Sequence, residues 1–371
     1  MHSMAETRNE SIFDSRGLRL ACIGLLASLL CAPPGSARAE PRGYAGPGPH
    51  AVSRSTVPDQ GLLFRPSDRS SETKRWPAVV FAHGLCGPTA RYSDTLERVA
   101  SWGFIIIANE NQQDCGEKMS PSHPIEAMKN FFSMPFKFES AVDFSAMAKN
   151  VQTNIEYLLT RSDVDPNRIA LMGHSMGGGI VFDVAANLAG RQPPAVQAVI
   201  GLAPWNGVRP RPSSVVAKIT APILIACSMS DGLCPCSGDV TVTDTQGPLT
   251  GPASMGIPML FGPGSNASWH GGAMAIFENA RNATLLDVEG VNHFEIAGTD
   301  DGAQMRELAA FARDISGLNF NEPSRSYRNI PTLEYVVAFL NTALKLDVAR
   351  GQATLEQASK DPRLAKVRTS G

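Results

Sequence analysis

The sequence lacks the charge imbalance that marks proteins of nucleic acid or membrane surfaces. Its 371 residues carry a formal net charge of −2, and no long run of like charge interrupts them. A nearly neutral chain has no electrostatic reason to bind nucleic acid or an anionic membrane, so we expect neither as a partner. With 43% hydrophobic and 18% charged residues, the composition is that of an ordinary globular protein.

The N-terminal apolar run, residues 20–30, is too short to span a bilayer. Arg16 and Arg19 precede it, and Ala37-Arg38-Ala39 ends the small-residue stretch that follows. A charged region, a short apolar core and an A-x-A site are typical of a secretory signal peptide. We therefore expect cleavage after Ala39 and a secreted or periplasmic protein without an integral membrane segment. The alternative is that this run forms a buried N-terminal helix.

Short apolar runs alternate with segments of helical periodicity along the rest of the chain. Strands are predicted at residues 78–82, 104–108, 168–172, 196–200, 222–226 and 284–288, and helices at 89–102, 144–158, 180–188 and 333–344. Strands that are apolar throughout are typical of a parallel sheet covered on both faces. The alternation therefore predicts an α/β fold, with a mostly parallel twisted sheet and helices on both faces.

The composition divides the mature chain into three parts. Residues 40–58 are rich in proline, glycine and serine, which predicts a flexible lead-in. The α/β domain is expected over residues 59–348, and residues 349–371 form a C-terminal tail. Within the domain, residues 232–282 exceed what a strand-to-helix connection needs, so we expect an insertion at the rim of the sheet.

The segment Gly173-His174-Ser175-Met176-Gly177 carries the strongest chemical signal. It matches G-x-S-x-G, the sharp strand-to-helix turn that projects a nucleophilic serine in α/β-hydrolases. A side chain at Gly173 or Gly177 would collide with backbone across so tight a turn. An apolar strand precedes the motif and a helix is predicted after it, so we expect Ser175 to be a nucleophile.

A serine nucleophile needs a histidine base that an acid orients, and in this fold the order is serine, acid, histidine. Only His270 and His293 lie downstream of Ser175. His293 follows a predicted strand and is the expected base, whereas His270 lies in the insertion. Asp231 follows the strand 222–226 and is the expected acid. The competitor is Asp287, which lies inside the strand that leads to His293.

The oxyanion of the tetrahedral intermediate needs backbone N–H donors. One donor should be the amide of Met176, the residue after the nucleophile. The other should come from the glycine-containing loop after the first apolar strand, and we expect Leu85 to supply it.

Five cysteines remain after residue 39: Cys86, Cys115, Cys227, Cys234 and Cys236. An odd number leaves at least one thiol free or paired between chains. We predict a disulfide between Cys86 and Cys115, because each follows a buried strand and the two strands should be neighbours. The rival pairing joins Cys227 to Cys234 or Cys236. No histidine stands at ligand spacing from Cys234 and Cys236, so no metal site is expected.

Four stretches together resemble secreted cutinase-like polyesterases, which include the polyethylene-terephthalate hydrolases, and more distantly chlorophyllases and dienelactone-hydrolase relatives. They are Gly173–Gly178, Ala203-Pro204-Trp205, Asp231–Pro235 and Gly290–Phe294. The resemblance implies the α/β-hydrolase fold with rim insertions and the triad Ser175, Asp231 and His293. It also implies that Trp205 lines the substrate cleft.

These observations favour hydrolysis of a carboxylic ester, small or polymeric, through an acyl-enzyme and without a metal or organic cofactor. The same triad can cleave carbon–carbon bonds in β-diketones, as in hydrolases of oxidised polyvinyl alcohol, and this is the alternative activity. A non-catalytic binding protein of the same fold is the second alternative. Such proteins typically lack a member of the triad, whereas this sequence has a candidate for each.

Overall fold

The computed structural model describes eleven stretches of the chain, all within the compact unit that begins at Gly43: residues 43–67, 75–84, 89–109, 144–191, 196–206, 211–231, 234–236, 239–242, 267–270, 272–298 and 330–370. The predicted signal peptide, Leu85, Cys86 and Cys115 lie outside them. The side chains of residues 239–242 and 267–270 are likewise not described.

Eleven strands occur in the described stretches: β1 Val52–Val57, β2 Gly61–Pro66, β3 Trp76–Ala82, β4 Ile105–Ala108, β5 Val164–His174, β6 Val196–Leu202, β7 Ile223–Cys227, β8 Asp239–Val242, β9 Ala267–His270, β10 Ala283–Val288 and β11 Leu364–Ser370. Nine of them form the main sheet in the order β1-β2-β4-β3-β5-β6-β7-β10-β11. The six strands from β4 to β10 in that order are parallel. They are the six predicted from the sequence.

The helices of the described stretches are α1 Ser93–Ala100, α2 Phe144–Thr160, α3 Ser175–Leu188, α4 Ser213–Val216, α5 Gly272–Asn279, α6 Thr332–Ala343 and α7 Val348–Gln357. Three short 3₁₀ turns accompany them, at Thr89–Tyr92, Glu295–Ala297 and Ala358–Lys360. No helix in these stretches is both long and apolar enough to cross a lipid bilayer.

The two faces of the sheet bury two separate apolar clusters. On β3, Val80 belongs to the cluster formed with α2, α3, α4 and α5, whereas Val79 and Phe81 belong to the cluster formed with α1 and α6. Alternate residues of a strand point to opposite faces, so both faces must be apolar. This explains the uninterrupted apolar runs and confirms the predicted α/β architecture.

The structure differs from the predicted boundaries at both ends of the domain. The lead-in predicted as flexible, residues 40–58, contains β1, which pairs antiparallel with β2. The tail predicted over residues 349–371 contains most of α7 and all of β11, which pairs antiparallel with β10. Most residues of β1 and several of β11 are exposed, because both strands lie at the edges of the sheet. Their sequences therefore lack the apolar runs of the central strands.

The predicted insertion, residues 232–282, is only partly separate from the core. Its strands β8 and β9 form a two-stranded antiparallel sheet of their own. Its last part contains α5, which buries Ala273, Ile276 and Phe277 in the core. This three-four spacing buries one helical face, so α5 belongs to the helical layer and not to a rim insertion.

Candidate active site

Ser175 lies in a strained turn at the carboxyl end of a central strand. Strand β5 ends at His174 and helix α3 begins at Ser175, whose φ is +55°. Few residues other than glycine adopt such a conformation, and it concentrates at functional sites. Ser175 is partly exposed, so its hydroxyl can be reached at this edge of the sheet.

The glycines on either side of Ser175 allow the backbone to pack this closely. A Cβ atom on Gly173 would lie 2.4 Å from the carbonyl oxygen of Gly177. A Cβ atom on Gly177 would lie 2.3 Å from the carbonyl oxygens of Ala82 and His83, at the end of β3. Neither position can accept a side chain, as the motif predicts.

Asp231 and His293 form a buried pair beside this turn. His293 Nδ1 lies 2.8 Å from Asp231 Oδ2, and the two residues are 3% and 0% exposed. The other carboxylate oxygen, Oδ1, accepts a hydrogen bond of 2.9 Å from the backbone N–H of Cys234. With Nδ1 held as the donor, the lone pair of a neutral imidazole is on Nε2. The pair therefore leaves Nε2 as the proton acceptor.

Local hydrogen bonds fix the loop that carries His293. The Asn292 side chain accepts from the N–H groups of Phe294 and Glu295, each at 3.0 Å, and Glu295 Oε2 accepts from the Asn292 N–H at 2.8 Å. This reciprocal arrangement is the capping box of a helix start, here at the turn Glu295–Ala297. It determines the backbone conformation around His293, the predicted base.

The competing acid, Asp287, has a different partner. Its carboxylate accepts the backbone N–H of Met229 at 3.2 Å, and burial raises its pKa. Asp287 therefore supports the loop that carries Asp231, while Asp231 itself contacts His293. His270 lies on β9, where the side chains are not described.

A disulfide joins Cys227, at the end of β7, to Cys236 and closes the loop that contains Asp231. This is one of the two rival pairings considered from the sequence. The third cysteine of the region, Cys234, is free and buried. Burial and the nearby Asp231 carboxylate raise the pKa of its thiol, and an interaction with the Ser175 side chain opposes that shift. The Cys86–Cys115 pairing lies outside the described residues and stays a prediction.

Trp205 is held next to the turn that carries Ser175. Its backbone N–H donates to the carbonyl oxygen of Ser175 at 2.8 Å, and its ring stacks on Phe144 with centroids 5.4 Å apart. Arg211 donates to the Trp205 carbonyl oxygen at 2.7 Å and binds both carboxylate oxygens of Asp183 at 2.8 Å. These contacts fix the backbone and the ring of Trp205 beside Ser175.

Of the two predicted oxyanion donors, only Met176 lies in the described residues. It is the second residue of α3, and the first N–H groups of a helix have no acceptor within it. Leu85 lies outside the described residues, but Gly84 before it is placed against the turn. A Cβ atom on Gly84 would lie 3.2 Å from Ser175 Cβ.

Comparisons with known proteins agree with this architecture. Residues 60–244 match the Dienelactone hydrolase family. The chain is 27% identical to a cutinase of Thermobifida fusca (strain YX) over 225 residues, which is 56% of this chain and 65% of the cutinase. It is 25% identical to Cutinase est1 of Thermobifida alba over 250 residues, 63% of this chain and 73% of that protein.

A bis(hydroxyethyl) terephthalate hydrolase of Streptomyces coelicolor is 25% identical over 195 residues, 51% of this chain and 52% of that enzyme. The chain has the fold of the α/β-hydrolases, with the mostly parallel sheet described above. It spans just under two thirds of the Thermobifida fusca cutinase. The predicted resemblance to cutinase-like polyesterases and their dienelactone-hydrolase relatives is confirmed.

Two buried residues that contact the site, Tyr92 and His174, were not predicted from the sequence. Tyr92 contacts His174, and His174 contacts the backbone of His293. The position of His174 in the motif, next to Ser175, indicated that it lies near the site. Its partners could not be predicted, because they are distant in sequence. Among the described residues, no group of three or more His, Cys, Asp and Glu side chains is placed to hold a metal ion.

Proposed function

We propose that this α/β-hydrolase cleaves carboxylic esters through an acyl-enzyme on Ser175. The observation that carries the proposal is the buried contact between Asp231 and His293, which directs Nε2 to act as the base. A binding protein without catalysis would have no need to bury this pair at the edge where a strained serine turn lies.

In the first half-reaction, Ser175 Oγ attacks the ester carbonyl carbon while His293 Nε2 takes the hydroxyl proton. The tetrahedral oxyanion is stabilised by the backbone N–H groups of Met176 and Leu85. The carbon–oxygen ester bond then breaks, and His293 returns the proton to the departing alcohol. Asp231 stabilises the imidazolium that forms and does not itself take the proton.

In the second half-reaction, His293 Nε2 takes a proton from water, whose oxygen attacks the acyl carbon. The acid leaves as the bond to Ser175 Oγ breaks, and the proton returns to the serine. Side chains and backbone amides supply every group in this sequence, so the mechanism needs no metal or organic cofactor.

We further propose export and an ester substrate that is small or polymeric. The disulfide Cys227–Cys236 supports export, because structural disulfides persist in oxidising compartments. Relatives named as cutinases and as a bis(hydroxyethyl) terephthalate hydrolase support the substrate class. The fixed indole of Trp205 beside Ser175 would form one wall of the cleft.

The test compares the purified protein with Ser175→Ala on p-nitrophenyl acetate, a longer p-nitrophenyl ester and a small β-diketone. The matched control is Ser359→Ala, at an exposed serine of the turn Ala358–Lys360. We expect ester turnover by wild type and Ser359→Ala, and a loss of about 10⁴-fold or more in Ser175→Ala. Turnover of the β-diketone without turnover of either ester would show that the protein is a carbon–carbon hydrolase and not an esterase.

A further inference from the structure

A chain of buried hydrogen bonds joins three segments around the nucleophile turn. The backbone N–H of Gly84 lies 3.2 Å from Tyr92 Oη, and Tyr92 Oη lies 2.8 Å from His174 Nδ1. On the other side of the ring, His174 Nε2 lies 2.8 Å from the backbone carbonyl oxygen of His293. The chain thus runs from the loop after β3 to the loop that carries the predicted base.

Only one arrangement of protons satisfies these contacts. A carbonyl oxygen can only accept, so His174 Nε2 carries a proton and donates a hydrogen bond to the backbone carbonyl oxygen of His293. Burial and the neighbouring His293 lower the pKa of His174 to about 3, which keeps the ring neutral and makes Nδ1 an acceptor. Tyr92 Oη–H must then donate to Nδ1, and the Tyr92 oxygen accepts the N–H of Gly84.

Packing holds this chain in place. Tyr92 and His174 are 3% and 1% exposed. The Tyr92 ring contacts Phe81 with centroids 4.9 Å apart, and the His174 ring lies 4.7 Å from that of His293. Because water has no access, each group depends on its protein partner, and hydrogen bonds in such a network polarise one another.

A second hydrogen bond joins the segment around Tyr92 to the loop that carries His293, called the base loop below. Thr95, three residues after Tyr92 and on α1, donates its hydroxyl to the backbone carbonyl oxygen of Ala297 at 2.7 Å. Ala297 ends the 3₁₀ turn that follows His293. Residues 92–95 therefore contact the base loop at two points, through His174 and directly.

We infer that Tyr92 is a positioning residue: its hydroxyl holds Gly84, next to the predicted oxyanion donor Leu85, and supports the loop that carries His293 by way of His174. The inference rests on the proposed function. Gly84 directly precedes Leu85, the predicted oxyanion donor, so the Tyr92 hydroxyl is one residue from an amide that acts on the transition state. Through His174 it also supports the backbone of His293, whose side chain Asp231 orients.

The variant that tests this role is Tyr92→Phe, which keeps the ring and removes the hydroxyl. The matched control is Tyr335→Phe on α6, because Tyr335 is also buried and also donates its hydroxyl, here to Asp361 at 2.8 Å. Tyr92→Phe loses the hydrogen bonds to His174 and from Gly84, and Tyr335→Phe loses the one to Asp361. Only Tyr92 is connected to the catalytic loops by the contacts described above.

We expect kcat of Tyr92→Phe on a p-nitrophenyl ester to fall roughly 10- to 100-fold, because a small misplacement of catalytic groups costs about this much. KM should stay within about twofold, since ground-state contacts are unchanged. The rate of phosphonylation by a p-nitrophenyl phosphonate, which forms a tetrahedral adduct, should fall in parallel with kcat. Tyr335→Phe should match the wild type in kcat, in KM and in the rate of phosphonylation. A Tyr92→Phe that loses thermal stability but keeps the wild-type kcat would show a merely structural role and overturn the inference.

A measurement on the unsubstituted protein remains decisive if Tyr92→Phe fails to fold. The ¹⁵N chemical shifts of the His174 ring should show a neutral Nε2–H tautomer that does not titrate between pH 7 and the acid limit of folding. A ring that titrates near the usual histidine pKa, or that carries its proton on Nδ1, would contradict the chain. Ser175→Ala separates the two claims: if it is inactive while Tyr92→Phe is normal, only the positioning role fails, whereas an active Ser175→Ala overturns the function.

Discussion

Asp231 Oδ2 lies 2.8 Å from His293 Nδ1, and both side chains are buried. The second carboxylate oxygen is also occupied, by the backbone N–H of Cys234. The Asp231 carboxylate therefore has one orientation, and so does the imidazole that it holds. This relationship supports the assignment of His293 as the base more strongly than its position in the sequence does.

Replacing the acid should separate Asp231 from its competitor. In Asp231→Asn the amide can donate to His293 Nδ1, which favours the tautomer whose Nε2 cannot act as a base. We expect kcat on a p-nitrophenyl ester to fall by roughly 10³- to 10⁴-fold. Asp287→Asn is the control, because its side-chain oxygen can still accept the N–H of Met229. A larger loss in Asp287→Asn than in Asp231→Asn would reverse the assignment.

Removing the disulfide should loosen the loop that contains Asp231. In the double variant Cys227→Ser and Cys236→Ser, we expect the free energy of unfolding in urea to fall by about 2–3 kcal/mol, the value for a short closed loop. The kcat value should fall less than in Asp231→Asn, because the N–H of Cys234 can still hold the carboxylate.

The control for this variant is wild-type protein whose disulfides have been reduced. Wild type treated with reductant should approach the stability of the double variant. If reductant also destabilises the double variant, a second disulfide is present, and Cys86–Cys115 is the predicted one. Equal stability of oxidised wild type and the double variant would show that the disulfide does not brace the loop.

Acid should weaken the fold through His174. Its pKa in the folded protein is about 3, below the usual histidine value near 6.5. Between these two values the unfolded chain takes up a proton that the folded protein does not. The free energy of unfolding should therefore fall as the pH drops from about 6.5 towards 3, by at most about 1.4 kcal/mol per pH unit from this group. Urea unfolding between pH 6.5 and 5, above the range of ordinary carboxylates, measures it. A stability that rises on acidification over this range would contradict a neutral buried His174.

The sequence predicted the parts of the fold that are buried on both sides. The six parallel strands are rich in apolar residues, because helices cover both faces of the sheet. The edge strands β1 and β11 carry polar and exposed residues. Their place in the sheet depends on pairing with β2 and β10, which no local pattern reports.

The same distinction applies to the site. Ser175, Asp231 and His293 could be proposed because each follows a strand in the order that the fold requires. The contacts of Tyr92 with His174 and of His174 with His293 join residues 82 and 119 positions apart. No local pattern pairs residues this far apart, so only the folded chain shows that they meet.

Mass spectrometry of the phosphonylated protein tests the central claim most directly. Wild-type protein inhibited by a p-nitrophenyl phosphonate should gain one phosphonyl group, and peptide mapping should place it on Ser175. Asp231→Asn should gain the same group on the same residue, only more slowly, because the base that activates Ser175 is held in the wrong tautomer. Loss of ester turnover with the adduct on another residue, or with no covalent adduct, would contradict an acyl-enzyme on Ser175.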